Sequence, residues 1–133
     1  MTTCTCYLKT NHPEFYAQRT ASPDYEMQIF AEKIIPITNQ TTLIDLEIKC
    51  KMVEVVGQKS NQIPFMIIPD QSLSLTPITF STSPIYVNSR DGYYNVVLYL
   101  KNSGGYKYNF QYGKPIAKII LLTKQFNLIT ESL

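Results

Sequence analysis

The sequence predicts an all-β domain of about ten short strands, folded as a β-sandwich or closed β-barrel with no major helix. Three observations carry that expectation. Between Tyr93 and Lys101 the side chains alternate, with Tyr94, Val96, Leu98 and Leu100 on one face and Tyr93, Asn95, Val97 and Tyr99 on the other. A two-residue period in β-favouring residues belongs to a strand. Turn signals recur about every eight to twelve residues, which is the spacing of short strands joined by hairpins. The chain also holds ten tyrosines, no tryptophan and five glycines, a mixture that suits sheets better than a helical bundle.

Taken in order, Met1 to Thr20 reads as an irregular edge segment, because His12-Pro13 bars a helix there; Glu14-Phe15-Tyr16 is its candidate strand. Ser22-Pro23-Asp24 turns the chain into strands at Tyr25–Ala31 and Lys33–Ile37, the second broken where Pro36 removes a ladder donor. After a turn at Thr38-Asn39-Gln40 comes a long strand. Leu46, Ile48, Cys50 and Met52 face one way in it, and Asp45, Glu47, Lys49 and Lys51 the other, as in an antiparallel strand with one wet face. Gly57 to Asn61 reads as a polar connection and Phe65 to Pro69 as a brief buried run. Lys101 to Gly105 is a turn, Tyr106 to Phe110 a polar-aromatic strand, and Ile116 to Leu122 a buried strand entered through Tyr112-Gly113-Lys114-Pro115. Gly113 is expected to supply free φ in that turn. The organisation is one β-domain over residues 21–122, preceded by the edge segment 1–20 and followed by a short C-terminal tail, 123–133.

The 12 basic and 10 acidic residues are spread along the 133, so composition makes no case for nucleic acid or for a charged membrane surface. Cys4, Cys6 and Cys50 are an odd set, which argues against a disulfide framework. With the single histidine, His12, the chain could offer at most a Cys/Cys/His trio, and Cys-x-Cys lacks the usual zinc spacing, so no metal and no cofactor are expected. No apolar run is long enough to span a membrane and no secretory leader opens the chain, which predicts an intracellular, cytoplasmic protein without a transmembrane segment.

The order of strands and turns from about Ala17 to Leu122 resembles the trimeric dUTPase family. Ser22-Pro23-Asp24-Tyr25-Glu26-Met27 stands where that family has Ala-Gly-Tyr-Asp-Leu. Pro69-Asp70-Gln71-Ser72-Leu73-Ser74 stands at its Pro-Arg-Ser-Ser-Leu-Ala, and Gly113-Lys114-Pro115-Ile116-Ala117-Lys118 at its Gly-Asp-Arg-Ile-Ala-Gln; Ile78 to Leu98 covers its uridine-binding hairpin. The resemblance implies a dUTPase-like β-barrel, a homotrimer, and a nucleotide site at Tyr25, Glu26, Asp70, Gln71, Ser72, Tyr86, Arg90 and Gly113.

The chemistry does not carry over. The family's triphosphate-binding arginine and serine correspond to Asp70 and Gln71, and a carboxylate repels phosphate where a guanidinium would hold it. The water-activating aspartate falls on Tyr86 or Val87, neither a base at neutral pH. The uracil-stacking tyrosine falls on Arg90. Glu26 keeps an acidic position but holds magnesium weakly alone. The eleven residues after Leu122 contain neither arginine nor glycine, whereas the family closes over its nucleotide with a Gly-rich, Arg-bearing tail. The resemblance is therefore to degenerate viral members such as the dUTPase-like proteins of adenovirus early region 4. That implies a non-enzymatic adaptor for host proteins, including PDZ-domain scaffolds and phosphoinositide-3-kinase signalling. The alternatives are a nucleotide binder or divergent pyrophosphatase, and a virion structural component.

Two stretches are expected to meet a protein partner. Thr130-Glu131-Ser132-Leu133 ends in an apolar residue with a free carboxylate, the form a PDZ groove accepts, and is expected to be mobile. Glu131 stands where the commonest such ligands have Ser or Thr. Tyr106, Tyr108 and Tyr112 follow the Gly-Gly turn as either a cross-strand ladder or a contact patch.

Overall fold

The computed structural model describes residues 2–17, 23–38 and 41–133. The turns expected at Ser22-Pro23-Asp24 and Thr38-Asn39-Gln40 lie partly outside these. Among the described residues twelve strands run β1 (Thr2–Thr10), β2 (Glu26–Phe30), β3 (Ile35–Ile37), β4 (Thr42–Val56), β5 (Lys59–Gln62), β6 (Phe65–Pro69), β7 (Ile78–Phe80), β8 (Ile85–Val87), β9 (Tyr94–Asn102), β10 (Tyr108–Phe110), β11 (Pro115–Ile120) and β12 (Asn127–Ser132). The helical pieces among the described residues are short 3-10 turns at Pro13–Tyr16 and Gln71–Leu75. The protein is all-β.

A large sheet has the order β12-β1-β4-β9-β7 with β5 added to β4, a small sheet the order β2-β11-β6-β8, and β10 pairs with β3 alone. These orders are open, so the sheets do not close into a barrel. The two main sheets instead share one apolar core. Cys6, Leu8, Ile48, Cys50, Met52, Leu98 and Leu100 come from the large sheet and Ile29, Ile67 and Ile119 from the small one.

The alternation read in β4 and β9 is the alternation observed: Leu46, Ile48, Cys50 and Met52 are buried, as are Val96, Leu98 and Leu100. Pairing between β4 and β9 shifts by two residues between Asp45 and Lys49, and Glu47 there takes φ +59°. An even shift keeps every side chain on its own face, whereas a shift of one would turn the apolar row outward.

Three elements differ from expectation in the N-terminal half. The irregular edge segment expected over 1–20 is not what its described residues form, since β1 lies inside the large sheet between β12 and β4. Cys4, Cys6, Leu8 and Thr10 point inward and are buried while Thr3, Thr5, Tyr7 and Lys9 alternate with them. Threonine and cysteine lower the segment's apparent hydrophobicity, yet both fit a pleated strand and a free thiol packs as a small apolar group. Glu14-Phe15-Tyr16 belongs to a 3-10 turn with Pro13 at its start, where proline's missing N–H has no partner to lose. The polar stretch after Gly57 is also a strand, β5, which pairs Val56 with Lys59 across a two-residue turn. Gly57 takes φ +62° there, the positive value that tight hairpins require.

The tail is likewise part of the sheet. β12 pairs in parallel with β1 from Thr5–Asn127 to Thr10–Ser132, anchored by the buried Phe126 and Leu128. Asn127–Ser132 of the expected tail is therefore a strand of the sheet: six residues cover an edge of β1 that would otherwise be unpaired.

Candidate interaction surfaces and the positions of the dUTPase resemblance

The eight positions taken from the resemblance fall in different surroundings. Tyr25 is exposed and lines a recess of about 460 Å³ with Thr2, Pro23 and Lys124. Glu26 accepts a bond from Lys118 at 3.0 Å on the outer face of the small sheet. Asp70 and Gln71 line a second recess with Ser74, Thr76 and Thr79. Tyr86 lines a third, between β6, β8 and the end of β11. Arg90 is exposed in the connection before β9. Gly113 takes φ +84° as expected, and its N–H donates to Ala31 O at 2.7 Å.

Asp70 has a structural duty that the sequence did not reveal. Its side chain is 2% exposed, accepts from Ser72 N and from Gln28 Nε2, both at 3.0 Å, and caps the 3-10 turn Gln71–Leu75. Burial alone would raise its pKa, but the bonds from Ser72 and Gln28, with Lys118 nearby, outweigh it and hold the carboxyl below the ordinary aspartate value. The carboxylate is committed to the turn's backbone and to the Gln28 amide. A signal was present in the spacing, since Asp two residues before a turn N–H is the usual cap arrangement.

The three tyrosines after the Gly-Gly turn do not form one patch. Tyr106 is 88% exposed at the hairpin, and its carbonyl accepts from Asn102 Nδ2 at 2.8 Å. Tyr108 packs edge-on against Phe110 beneath Lys114. Tyr112 reaches the other way, to Phe15 and His12, with its hydroxyl 3.1 Å from His12 Nδ1. At the C-terminus, Glu131 accepts from the Tyr93 hydroxyl, and Thr130, Glu131 and Ser132 are held by β1; Leu133 is 51% exposed.

A polar cluster around His12 was not anticipated. His12 Nδ1 lies 2.9 Å from Glu14. The half-buried Glu32 accepts from Thr10 and Tyr16, and burial raises its pKa. Cys4 and Cys6 point into the core instead, away from this cluster, so the Cys/Cys/His trio does not assemble. Among the described residues no three His, Cys, Asp or Glu side chains form a metal-binding group. Burial raises the pKa of Cys4 and Cys50, the setting of packed rather than reactive thiols.

The recess beside Tyr86 is an apolar groove of about 660 Å³ that also takes in Ile63, Phe65, Met66, Ile120 and Leu122. Met66 pairs with Tyr86 on one side and Ile120 on the other, so a cross-strand apolar row runs over the outside of the small sheet. Tyr86 and Leu122 are each 74% exposed. Among the described residues no helix is long and apolar enough to cross a membrane. No protein-family model and no curated protein matches the chain.

Proposed function

We propose that this chain is a non-catalytic viral interaction protein on a dUTPase-like scaffold, a homotrimer that serves as an adaptor for host proteins in the cytoplasm. The observation that carries the reading is the apolar groove along Tyr86, Met66 and Ile120. A side chain as large as tyrosine, left mostly in water beside an exposed leucine over an apolar floor, is the composition of a contact surface. Tyr86 or its neighbour Val87 stands where the resemblance would require a general base, and neither can serve as one. Asp70, at the position of the triphosphate arginine, supports the same reading because its carboxylate is committed to a cap. With the tail paired to β1, the small sheet's outer face is the better adaptor surface; PDZ binding would require β12 to leave its neighbour.

The test uses purified chain with Tyr86→Asp and Leu122→Asp variants, and Tyr99→Asp on the large sheet as control. Co-precipitation from host-cell extract should lose its partners in the first two variants and keep them in the third, with the melting temperature little changed. Turnover of dUTP by the wild-type chain, abolished by Glu26→Ala, would overturn the reading.

A further inference from the structure

We infer that the outward face of β1 and β4 is a binding site for single-stranded nucleic acid, carried by Lys9, Lys49 and Lys51 with the rings of Tyr7 and Tyr93. The residues are far apart in sequence and meet only through pairing: Lys9 lies directly across from Lys49, and Tyr7 across from Lys51. Lys9 Nζ lies 4.3 Å and Lys51 Nζ 4.7 Å from the centre of the Tyr93 ring, and Lys51 Nζ is 5.5 Å from that of Tyr7.

Like charges facing one another across a ladder destabilise a sheet. In the free protein the Lys9 and Lys51 ammonium groups are parked over tyrosine faces and Glu131 lies across the ladder from Lys9, which together offset part of that repulsion. A polyphosphate backbone relieves it more fully, and as the lysines move to phosphate the ring faces become available for bases. Lysines interleaved with aromatic rings on a sheet face are the elements of sequence-tolerant single-strand recognition.

The surrounding charges favour a narrow polyanion over an anionic membrane. Asp45 and Glu47 lie on the same face of β4, with Glu47 paired to Lys33 at 3.4 Å, and Glu131 of β12 stands beside Tyr93. A planar bilayer would press all three carboxylates against its own charge, whereas a single strand can follow Lys49 and Lys51, leave Asp45 and Glu47 in water, and meet Glu131, the ladder partner of Lys9 on the edge strand β12, at one side only.

The experiment is fluorescence anisotropy with a labelled twelve-nucleotide oligo-dT, titrated at several salt concentrations. Binding should weaken with salt at a slope near −2 in log K against log salt, about 0.7 for each of three lysines. Each single Lys→Gln change at 9, 49 or 51 should reduce that slope by about 0.7, and Tyr93→Leu should weaken binding roughly tenfold through lost stacking. Lys59→Gln, Lys101→Gln and Lys107→Gln, which remove the same charge elsewhere, should have little effect, and circular dichroism checks that each variant folds. Equal losses in both lysine sets, no binding at low salt, or binding only to phosphatidylserine vesicles would overturn the assignment.

Discussion

The two main sheets bury one face each in the same core, yet their outward faces have little in common. The small sheet turns Tyr86, Met66, Ile120 and Leu122 to solvent. The large sheet turns out Tyr7, Lys9, Lys49, Lys51 and Tyr93. The inward faces answer to one requirement, close packing of apolar side chains, and so they resemble each other. Nothing in folding fixes the outward faces, so they are free to diverge, and the two proposed surfaces rest on that divergence. One face suits an apolar protein surface and the other a polyanion.

The strongest way to break the comparison is to remove what the two faces share. Leu98 is fully buried in the common core, so Leu98→Ala should cost about 2–5 kcal/mol. The urea midpoint should fall with an unchanged slope, and both surfaces should lose their partners together. Loss of one activity alone would mean the faces belong to independently stable units.

A smaller effect is expected at the joint that fastens β10 and β3 to the large sheet. The buried Asn102 donates to Ile37 O at 3.1 Å and Tyr106 O at 2.8 Å, and accepts from Gly104 N at 2.9 Å. Asn102→Ala leaves these backbone groups without partners, which should cost about 1–3 kcal/mol. Calorimetry should show that loss, while the Tyr86 groove keeps its binding.

The smallest effect sharpens the comparison by pH. Asp70 serves the small sheet and has a lowered pKa, so its contribution is present above its unfolded value and is lost as pH falls through the folded one. Glu32 is bonded to Thr10 of β1 and has a raised pKa, so its contribution is present at low pH and lost as pH rises through the folded value. Urea midpoints measured from pH 3 to 7 should therefore flatten in opposite directions, at the acidic end for Asp70→Asn and toward neutral pH for Glu32→Gln. A shift of the same sign in both variants would refute the pairing of each carboxylate with its sheet.

The sequence by itself determined the all-β class, the strands β4, β6, β9 and β11 and the inward rows of β4 and β9, because the two-residue period is a property of the pleated backbone and is written locally. It also determined the need for glycine at 113, a local φ requirement. Only the tertiary structure decided that Thr2–Thr10 is an inner strand, that Asn127–Ser132 covers its edge and that Asp70 is a cap. It alone brought Lys9 to Lys49 and left Tyr86 beside Leu122. Each of these depends on partners distant in the chain. Thr-Cys alternation becomes a buried strand only when a sheet lies on both sides of it, and a lysine pair forms a site only once the register between β1 and β4 is set.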